Sequence, residues 1–364
     1  MQISCVSAYG IAGKCFIVVD TDEGVSGLGE CSPMHSPTIG RFATEVLAPK
    51  ILGENPLETD RLWHEMMLST YKLGAQGIQP EATAGIDIAL WDIRGKVMEQ
   101  PIWALLGGKY REKIPMYASI GGGAEMTPAE MAERVDAAVA RGFRGIKIRM
   151  DWGAGRQDRG LDKDLAMVRE CLKITGEGVP LSFDANNGYS VSGAIRQGRR
   201  FEELGLRHFE EPVAQFDYPG IAQVADALDI PVSAGEHEYT RWQFRDLILQ
   251  GRVDIVQPDV VKSGGITETV KIAVLAETFN KVFLPHQTQP TVGTAANLHI
   301  CASLKWCDWP QELPPERNEA LEGIFEHPLE FYDGHFVVLD RPGHGLVIRE
   351  SVVRDAELYG RAEA

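Results

Sequence analysis

The chain has 364 residues, of which 44% are hydrophobic and 24% charged, and its formal net charge is −16. A surface this acidic disfavours nucleic acid and anionic membranes as partners, although a buried cation can still attract a small anionic substrate. The length suits one barrel-sized domain together with a smaller one.

The cysteines and the N-terminus indicate the compartment. Six cysteines are scattered along the chain without a CxxC pair, which is typical of proteins in a reducing environment. No charged start is followed by a long apolar run, and no stretch reaches the roughly 20 apolar residues that a membrane helix needs. We therefore expect a cytoplasmic protein that does not cross a membrane.

Residues 1–112 have the pattern of an α+β domain. The segment "KCFIVVDTDEGVSGLGE" (14–30) places two apolar runs around a turn, which predicts a β-hairpin. Helical periodicity follows in 41–51, 57–69 and 81–98, and the last helical segment ends before Gly107 and Gly108.

The pattern changes from residue 113, where short apolar runs alternate with amphipathic segments. The apolar runs cover 113–119, 144–150, 179–185, 206–212, 230–236, 253–259, 281–286 and 304–309. The predicted helices between them cover 127–141, 162–174, 190–204, 218–228, 241–250, 266–279 and 292–303. This alternation predicts an α/β fold, a parallel (β/α)7β TIM-like barrel over 113–324, in preference to an open sheet. No glycine-rich dinucleotide fingerprint follows any strand. The β-like tail at 330–348 is expected to pack back onto the N-terminal domain, so that 325–364 complete it.

Acidic residues mark the ends of three consecutive barrel strands. Asp184 ends the third strand, the pair Glu210 and Glu211 ends the fourth, and Glu236 ends the fifth. Reactive groups of such barrels lie at these strand ends, so the carboxylates should converge. Because like charges this close repel, and because hard oxygen donors with open positions suit Mg²⁺, the pattern predicts a magnesium site. Side-chain alternation predicts that only one of Glu210 and Glu211 faces inward.

The next strands supply a candidate acid/base pair. Asp259 ends the sixth strand and His286 ends the seventh. A neighbouring carboxylate can orient an imidazole and stabilise its charged form, which makes His286 a candidate general acid/base. Glu312, on the eighth strand, is a candidate for substrate contact. Lys147 and Arg149 lie on one face of the second strand, which places two cations at the barrel mouth.

Several of these segments, taken in order, resemble the mandelate racemase/muconate lactonizing group of the enolase superfamily. The resemblance rests on "GIKIRM", "FDANNGY", "FEEP", "AGE", "QPDVVKSGGIT" and "LPH", with "TDEGVSGLGE", "GIDIALWDIRGK" and "PIWALLGG" in the N-terminal region. It implies a capping domain over a (β/α)7β barrel, and a homo-oligomer. It also implies that Mg²⁺ is held by Asp184, Glu210 and Glu236, with the His286–Asp259 dyad removing a proton α to a carboxylate.

The chain departs from that family on the second strand. The usual motif is Lys-x-Lys, with the second lysine as a base, whereas this chain has Lys147-Ile148-Arg149. Arginine is a poor proton acceptor at neutral pH, which disfavours proton transfer on two faces and favours elimination. The predicted activity is therefore dehydration of an aldonic or aldaric acid to a 2-keto-3-deoxy acid. The alternatives are a racemase or epimerase of a 2-substituted acid, and a non-catalytic metal-binding barrel.

The remaining candidate residues concern the substrate, a small anionic sugar acid. Lys147 is assigned to the substrate carboxylate in preference to a role as a base, and Arg149 either to the substrate anion or to activation of a nearby tyrosine. Asn186 and His237 follow two of the metal ligands and are candidates for contacts with hydroxyl groups. His35, in the loop at 31–41, is a candidate for reading the far end of the substrate, because loops set specificity on a barrel.

Overall fold

The computed structural model describes residues 1–153, 155, 157–287, 290–316 and 318–364. The N-terminal region begins with an antiparallel sheet in the order β14-β1-β2-β3. Its strands are β1 (Ile3–Ile11), β2 (Lys14–Thr21), β3 (Ser26–Cys31) and β14 (Glu357–Glu363). The predicted hairpin is confirmed as β2 and β3, while β1 and β14 carry no prediction.

Helices cover one face of this sheet. They are α1 (Ser36–Arg41), a π-helical turn (Phe42–Leu47), α2 (Thr59–Ser69), α3 (Ile78–Val97) and α4 (Ile102–Leu105), with short 3-10 turns at Ala48–Lys50 and Tyr71–Leu73. Helix α3 lies so close against β3 that a Cβ atom at Gly29 would clash with the carbonyl oxygen of Gly85. In the part of the chain described, no helix is both long and apolar enough to cross a membrane.

The barrel strands follow in register. They are β4 (Lys113–Ile120), β5 (Ile146–Arg149), β6 (Leu181–Asp184), β7 (Phe209–Glu210), β8 (Val232–Ala234), β9 (Ile255–Val256), β10 (Val282–Phe283) and β11 (Gln311–Leu313). Consecutive strands from β4 to β10 pair in parallel, and β11 pairs in parallel with β4, which returns the last strand to the first. The (β/α)7β barrel is confirmed.

The prediction of the eighth strand at 304–309 is wrong. Residues 304–307 form a turn, closed by the amide of Cys307 donating to the carbonyl of Leu304, and the strand starts only after Pro310. The apolar character of the segment has another cause. Trp309 packs against the guanidinium of Arg207, 3.9 Å from the ring centroid, so its bulk covers the barrel instead of forming a strand.

The barrel helices agree with the predicted segments within a few residues. They are α5 (Pro128–Ala140), α6 (Leu161–Thr175), α7 (Val191–Glu203), α8 (Tyr218–Ala227), α9 (Thr240–Asp246) with a π-helical turn (Leu247–Gly251), α10 (Ile266–Thr278) and α11 (Val292–Ser303).

The C-terminal segment contacts both regions. It contains α12 (Glu319–Glu322), β12 (Phe331–Tyr332), β13 (His335–Val337) and α13 (Glu350–Arg354) before β14. Strand β13 pairs with β4 of the barrel, whereas β14 pairs with β1 of the N-terminal sheet. The domain boundaries at 112/113 and 324/325 stay predictions.

Two carboxylates of the N-terminal region fix it to the barrel at helix N-termini. Asp87 of α3 accepts a hydrogen bond from the amide of Thr267 in the first turn of α10, at 2.9 Å. Glu30 at the end of β3 accepts one from the amide of Gly293 in the first turn of α11, at 2.8 Å. These helices start where β9 and β10 have ended, so the N-terminal region covers the carboxyl ends of the barrel strands.

Candidate active site

Three carboxylates converge at the ends of neighbouring barrel strands. Asp184 and Glu210 are register partners on β6 and β7, and Glu236 follows the end of β8. Their ligand atoms lie within 4.8 Å of one another. Asp184 and Glu210 are fully buried, while the side chain of Glu236 is 18% exposed. An all-oxygen donor set with one side open to solvent fits a hard divalent cation such as Mg²⁺.

Neighbouring side chains orient these carboxylates. Asn186 donates its amide to Oδ1 of Asp184 at 2.7 Å and its Nδ2 to Oδ2 at 3.0 Å. Nε2 of Gln257 donates to Oε2 of Glu210 at 2.6 Å. Burial and the charge of Glu210 raise the pKa of Asp184. Hydrogen bonds of this kind hold potential metal ligands in a fixed geometry.

Lys147 is buried among the carboxylates. Its Nζ lies 2.5 Å from Oε1 of Glu210, 2.9 Å from Oε1 of Glu312 and 3.9 Å from Oδ2 of Asp184. Burial favours the neutral amine, but Glu210 and Glu312 outweigh it and raise the pKa of Lys147 well above its usual value. The side chain is therefore a fixed cation at neutral pH and a weak candidate for a base.

Arg149 projects from the same strand but ends in a different environment. Its Nη1 lies 3.7 Å from Oδ1 of Asp151, and its side chain is 33% exposed. Burial alone would lower the pKa of Arg149, but Asp151 and the acidic cluster raise it. Among the described residues, no tyrosine forms a hydrogen bond or a ring contact with the guanidinium, so the pairing expected to activate a tyrosine is replaced by an ion pair with Asp151.

His286 and Asp259 form the predicted dyad. The two residues are opposite one another in a parallel bridge, and Nδ1 of His286 lies 2.8 Å from Oδ2 of Asp259. The other ring nitrogen, Nε2, lies 3.3 Å from Oε2 of Glu236 and so faces the carboxylate cluster. Burial would lower the pKa of His286, but Glu236, Glu312 and Asp259 raise it to about 10.

Glu211 lies outside the side-chain alternation that predicted an inward position for only one of Glu210 and Glu211. Strand β7 ends at Glu210, and Glu211 has a φ of +42°, so the period of two no longer applies. Both glutamates are buried. Asp151, Asn186 and Asn187 also have positive φ directly after strands β5 and β6. Such strained non-glycine residues cluster at functional sites.

The residues predicted to contact substrate lie in different environments. Glu312 is buried and ion-paired with Lys147, and Asn186 is hydrogen-bonded to Asp184. Nε2 of His237 lies between carboxylates of Glu211 and Glu236. His35 lies on an exposed loop at the start of α1, and its side chain has no hydrogen bond or ion pair among the described residues. The structure thus brings the first three to the cluster, while His35 makes no direct contact with it among the described residues.

Two residues with roles in this geometry carried no prediction. Gln257 lies two positions before Asp259, so the two side chains point to the same face of the strand. That spacing could have predicted that Gln257 faces the site. Asp151 accepts a hydrogen bond from the amide of Gly122 and donates its own amide to Oδ1 of Asn186 at 2.7 Å. It belongs to a loop after β5, where the sequence contains no periodic signal.

Two family models match most of the chain. The mandelate racemase/muconate lactonizing enzyme N-terminal domain matches residues 3–107, and the enolase C-terminal domain-like model matches residues 130–352. The chain is 36% identical over 346 residues to the arabinonate dehydratase of Saccharolobus solfataricus, with 93% of this chain and 88% of that protein covered. It is 30% identical over 352 residues to the D-galactarolactone cycloisomerase of Agrobacterium fabrum, with 93% and 90% covered.

A solved structure has the same fold as this chain. The mandelate racemase/muconate lactonizing protein from Paracoccus denitrificans PD1222, complexed with magnesium, is 40% identical to this chain. The two structures superpose with a TM-score of 0.94 over 98% of each chain. The similarity therefore extends over both regions of the fold.

Proposed function

The chain belongs to the mandelate racemase/muconate lactonizing enzyme family of the enolase superfamily, and from that membership we propose that it is a Mg²⁺-dependent acid-sugar dehydratase. The substrate is an aldonic or aldaric acid, and the product is a 2-keto-3-deoxy acid. Asp184, Glu210 and Glu236 would hold the metal, which supplies electrostatic stabilisation of the enediolate when it is bound.

The dyad supplies the proton transfer in this proposal. Nε2 of His286 takes the proton from the carbon α to the substrate carboxylate, and Asp259 holds Nδ1 and stabilises the imidazolium. The bond from the β-carbon to its hydroxyl oxygen then breaks, and that oxygen leaves as water with the proton that His286 returns. The resulting enol gains a proton from solvent at the β-carbon and loses its hydroxyl proton to solvent, which gives the 2-keto-3-deoxy acid.

The buried cations supply the complementary charge. Lys147 remains protonated and offsets negative charge that develops on the substrate carboxylate. Arg149 presents a partly exposed guanidinium at the end of the same strand and binds the substrate anion. Glu312 and Asn186 line the site, and His35 reads the far end of the substrate from its loop.

One observation favours dehydration over racemisation or epimerisation. The second strand ends in Arg149, whose pKa is raised by Asp151 and the acidic cluster, while Lys147 is a buried cation. Neither side chain is a competent proton acceptor at neutral pH. His286 remains as the acid/base of the site, because a metal held by Glu236 would neutralise part of the charge that raises the pKa of this histidine to about 10. The likeness to the arabinonate dehydratase of Saccharolobus solfataricus supports the same reaction.

A panel of aldonic and aldaric acids tests the proposal. The purified protein with Mg²⁺ is incubated with each acid, and 2-keto-3-deoxy products are detected by NMR and as semicarbazones. At least one acid should give product, and activity should be lost on chelation and restored by Mg²⁺. A panel without any 2-keto product, with metal binding verified by calorimetry, would contradict the assignment.

An isomerase is the second candidate, because the chain is also similar to the D-galactarolactone cycloisomerase of Agrobacterium fabrum. Incubation in D₂O separates the two reactions. Deuterium at the α-carbon of an epimer or ring-opened product, without formation of a keto acid, would favour isomerisation.

We also propose that the protein works in the cytoplasm as a homo-oligomer. The absence of CxxC pairs and the family membership support these two statements. Light scattering coupled to gel filtration measures the assembly directly, and a monomer at micromolar concentration would contradict it.

A further inference from the structure

A second set of donor atoms converges on Glu236. Ligand atoms of Glu211, Glu236 and His237 lie within 4.8 Å of one another. Nε2 of His237 lies 3.4 Å from Oε1 of Glu211 and 3.5 Å from Oε1 of Glu236. We propose that these three side chains bind a second divalent cation, a first-row transition metal such as Zn²⁺. This cation shares Glu236 with the proposed magnesium site.

The donor spacing matches metal coordination better than a hydrogen bond. Ligand bonds of about 2.1 Å in a tetrahedral zinc site separate neighbouring donors by about 3.4 Å. The two separations at Nε2 of His237 are 3.4 and 3.5 Å. Hydrogen bonds are shorter, and the ring of His237 forms none with any residue in the described ranges.

A buried oxygen atom without a donor provides a further reason for a cation here. Oε1 of Glu211 is buried and accepts no hydrogen bond, although it faces the ring of His237. The residue is 2% exposed. Nδ2 of Asn187 donates to the other oxygen of Glu211 at 2.8 Å, which directs Oε1 of that carboxylate toward His237. Buried acceptors of this kind are rare without a partner.

The donor types select the metal. An imidazole nitrogen beside two carboxylates suits Zn²⁺ and its neighbours in the first row, whereas the all-oxygen set of Asp184, Glu210 and Glu236 suits Mg²⁺. The side chain of His237 is 35% exposed, which gives a cation a route from solvent. The site would connect the loops after β7 and β8, beside the proposed catalytic metal.

Calorimetric titration with Zn²⁺ of the full-length protein, saturated with Mg²⁺, tests the inference. The wild type should bind one equivalent of Zn²⁺. The His237→Gln variant should bind it at least ten-fold more weakly, whereas His327→Gln, which alters an exposed histidine outside the cluster, should bind it as the wild type does. The Asp184→Asn variant, which alters only the magnesium site, should retain Zn²⁺ binding.

Two results would overturn the inference. One is equal Zn²⁺ affinity in the wild type and in His237→Gln. The other is Zn²⁺ binding that disappears in Asp184→Asn, because the ion would then occupy only the magnesium site. If the variants do not fold, crystals of the wild type soaked in Zn²⁺ give the answer: an anomalous peak must lie within bonding distance of Nε2 of His237. The dehydratase proposal is judged separately, by product formation with Mg²⁺ alone.

Discussion

Nζ of Lys147 lies 2.5 Å from Oε1 of Glu210, and both side chains are buried at the centre of the barrel mouth. The lysine is therefore the fixed counter-charge of the acidic cluster. Removing one partner of a buried ion pair leaves an uncompensated charge, which costs about 3–5 kcal/mol.

The Lys147→Met variant should accordingly be less stable than the wild type by about that amount in the presence of a chelator. Mg²⁺ should restore part of the loss, because it would neutralise the same carboxylates. Urea unfolding with and without Mg²⁺ measures both values. A comparable change at Lys173, an exposed lysine paired with Glu170, should be nearly neutral. Equal stabilities for the two variants would contradict the role given to Lys147.

The dyad is tested by His286→Asn and Asp259→Asn. The first variant should lose at least about 100-fold in kcat, since general acid/base catalysis contributes that much or more. The second should lose less, because the imidazole remains but is no longer held by a carboxylate. Both should bind Mg²⁺ with unchanged affinity. Retained turnover in His286→Asn would remove this residue from the mechanism.

Asn186 is expected to tune the metal through Asp184, because its Nδ2 donates a hydrogen bond to Oδ2 of that carboxylate at 3.0 Å. The Asn186→Ala variant should bind Mg²⁺ about 10- to 100-fold more weakly by calorimetry. Asn280→Ala provides a matched control, because Asn280 also has a positive φ, of 52°, but lies on the surface. If both variants bind Mg²⁺ like the wild type, the side-chain hydrogen bond from Asn186 to Asp184 does not affect the metal.

Arg149→Lys tests whether the planar guanidinium is needed. Lysine keeps the charge but lacks the two-pronged donor geometry, so kcat/KM for dehydration should fall at least about ten-fold. The equivalent change at Arg144, which pairs with Asp333 on the surface, serves as the control. Unchanged dehydration, or new epimer formation in D₂O, would indicate that Arg149 is not required as an arginine.

Asp87 predicts a pH dependence of stability. Burial raises its pKa from 3.8 to about 7, so the folded state binds this proton more tightly than the unfolded state. Its stabilising contribution is fully present below about pH 4 and is lost as the pH rises to 7, by roughly 4 kcal/mol at most. Asp87→Asn should remove this loss, and should therefore be the more stable protein at pH 8.

The measurement is urea unfolding from pH 5 to pH 8. The Asp87→Asn variant keeps a side-chain oxygen that can accept the hydrogen bond from the amide of Thr267. Asp162→Asn, at a fully exposed position, should follow the wild-type profile. Parallel profiles for the wild type and Asp87→Asn would show that the buried carboxyl does not control this dependence.

Much of the site was predictable because its chemistry follows strand periodicity. Asp184, Glu210 and Glu236 each lie at the end of a parallel strand, and that edge of a barrel is shared by all strands. The same rule placed His286 beside Asp259.

The prediction failed where the backbone leaves the strand. Glu211 has a positive φ, so its side chain turns toward His237 and a rule based on a period of two no longer applies. Strand β14 was missed because it is a mostly exposed edge strand with no apolar face to give a signal. The eighth strand was misplaced because Trp309 contributes apolar bulk by covering Arg207, not by joining the sheet.

The attachment of the N-terminal region has a consequence for protein engineering. Asp87 and Glu30 bind main-chain amides, and every non-proline sequence offers such amides at the start of a helix. On the barrel side these two contacts use main-chain amides, but side chains also join the two regions. Nε1 of Trp91 donates to Oγ1 of Thr267 at 2.8 Å, and the hydroxyl of Tyr239 donates to Oε1 of Glu81 at 3.1 Å. A chimera that carries the specificity loops of a relative on this barrel is therefore expected to assemble if it retains an oxygen acceptor at positions 30 and 87 together with these side-chain pairs.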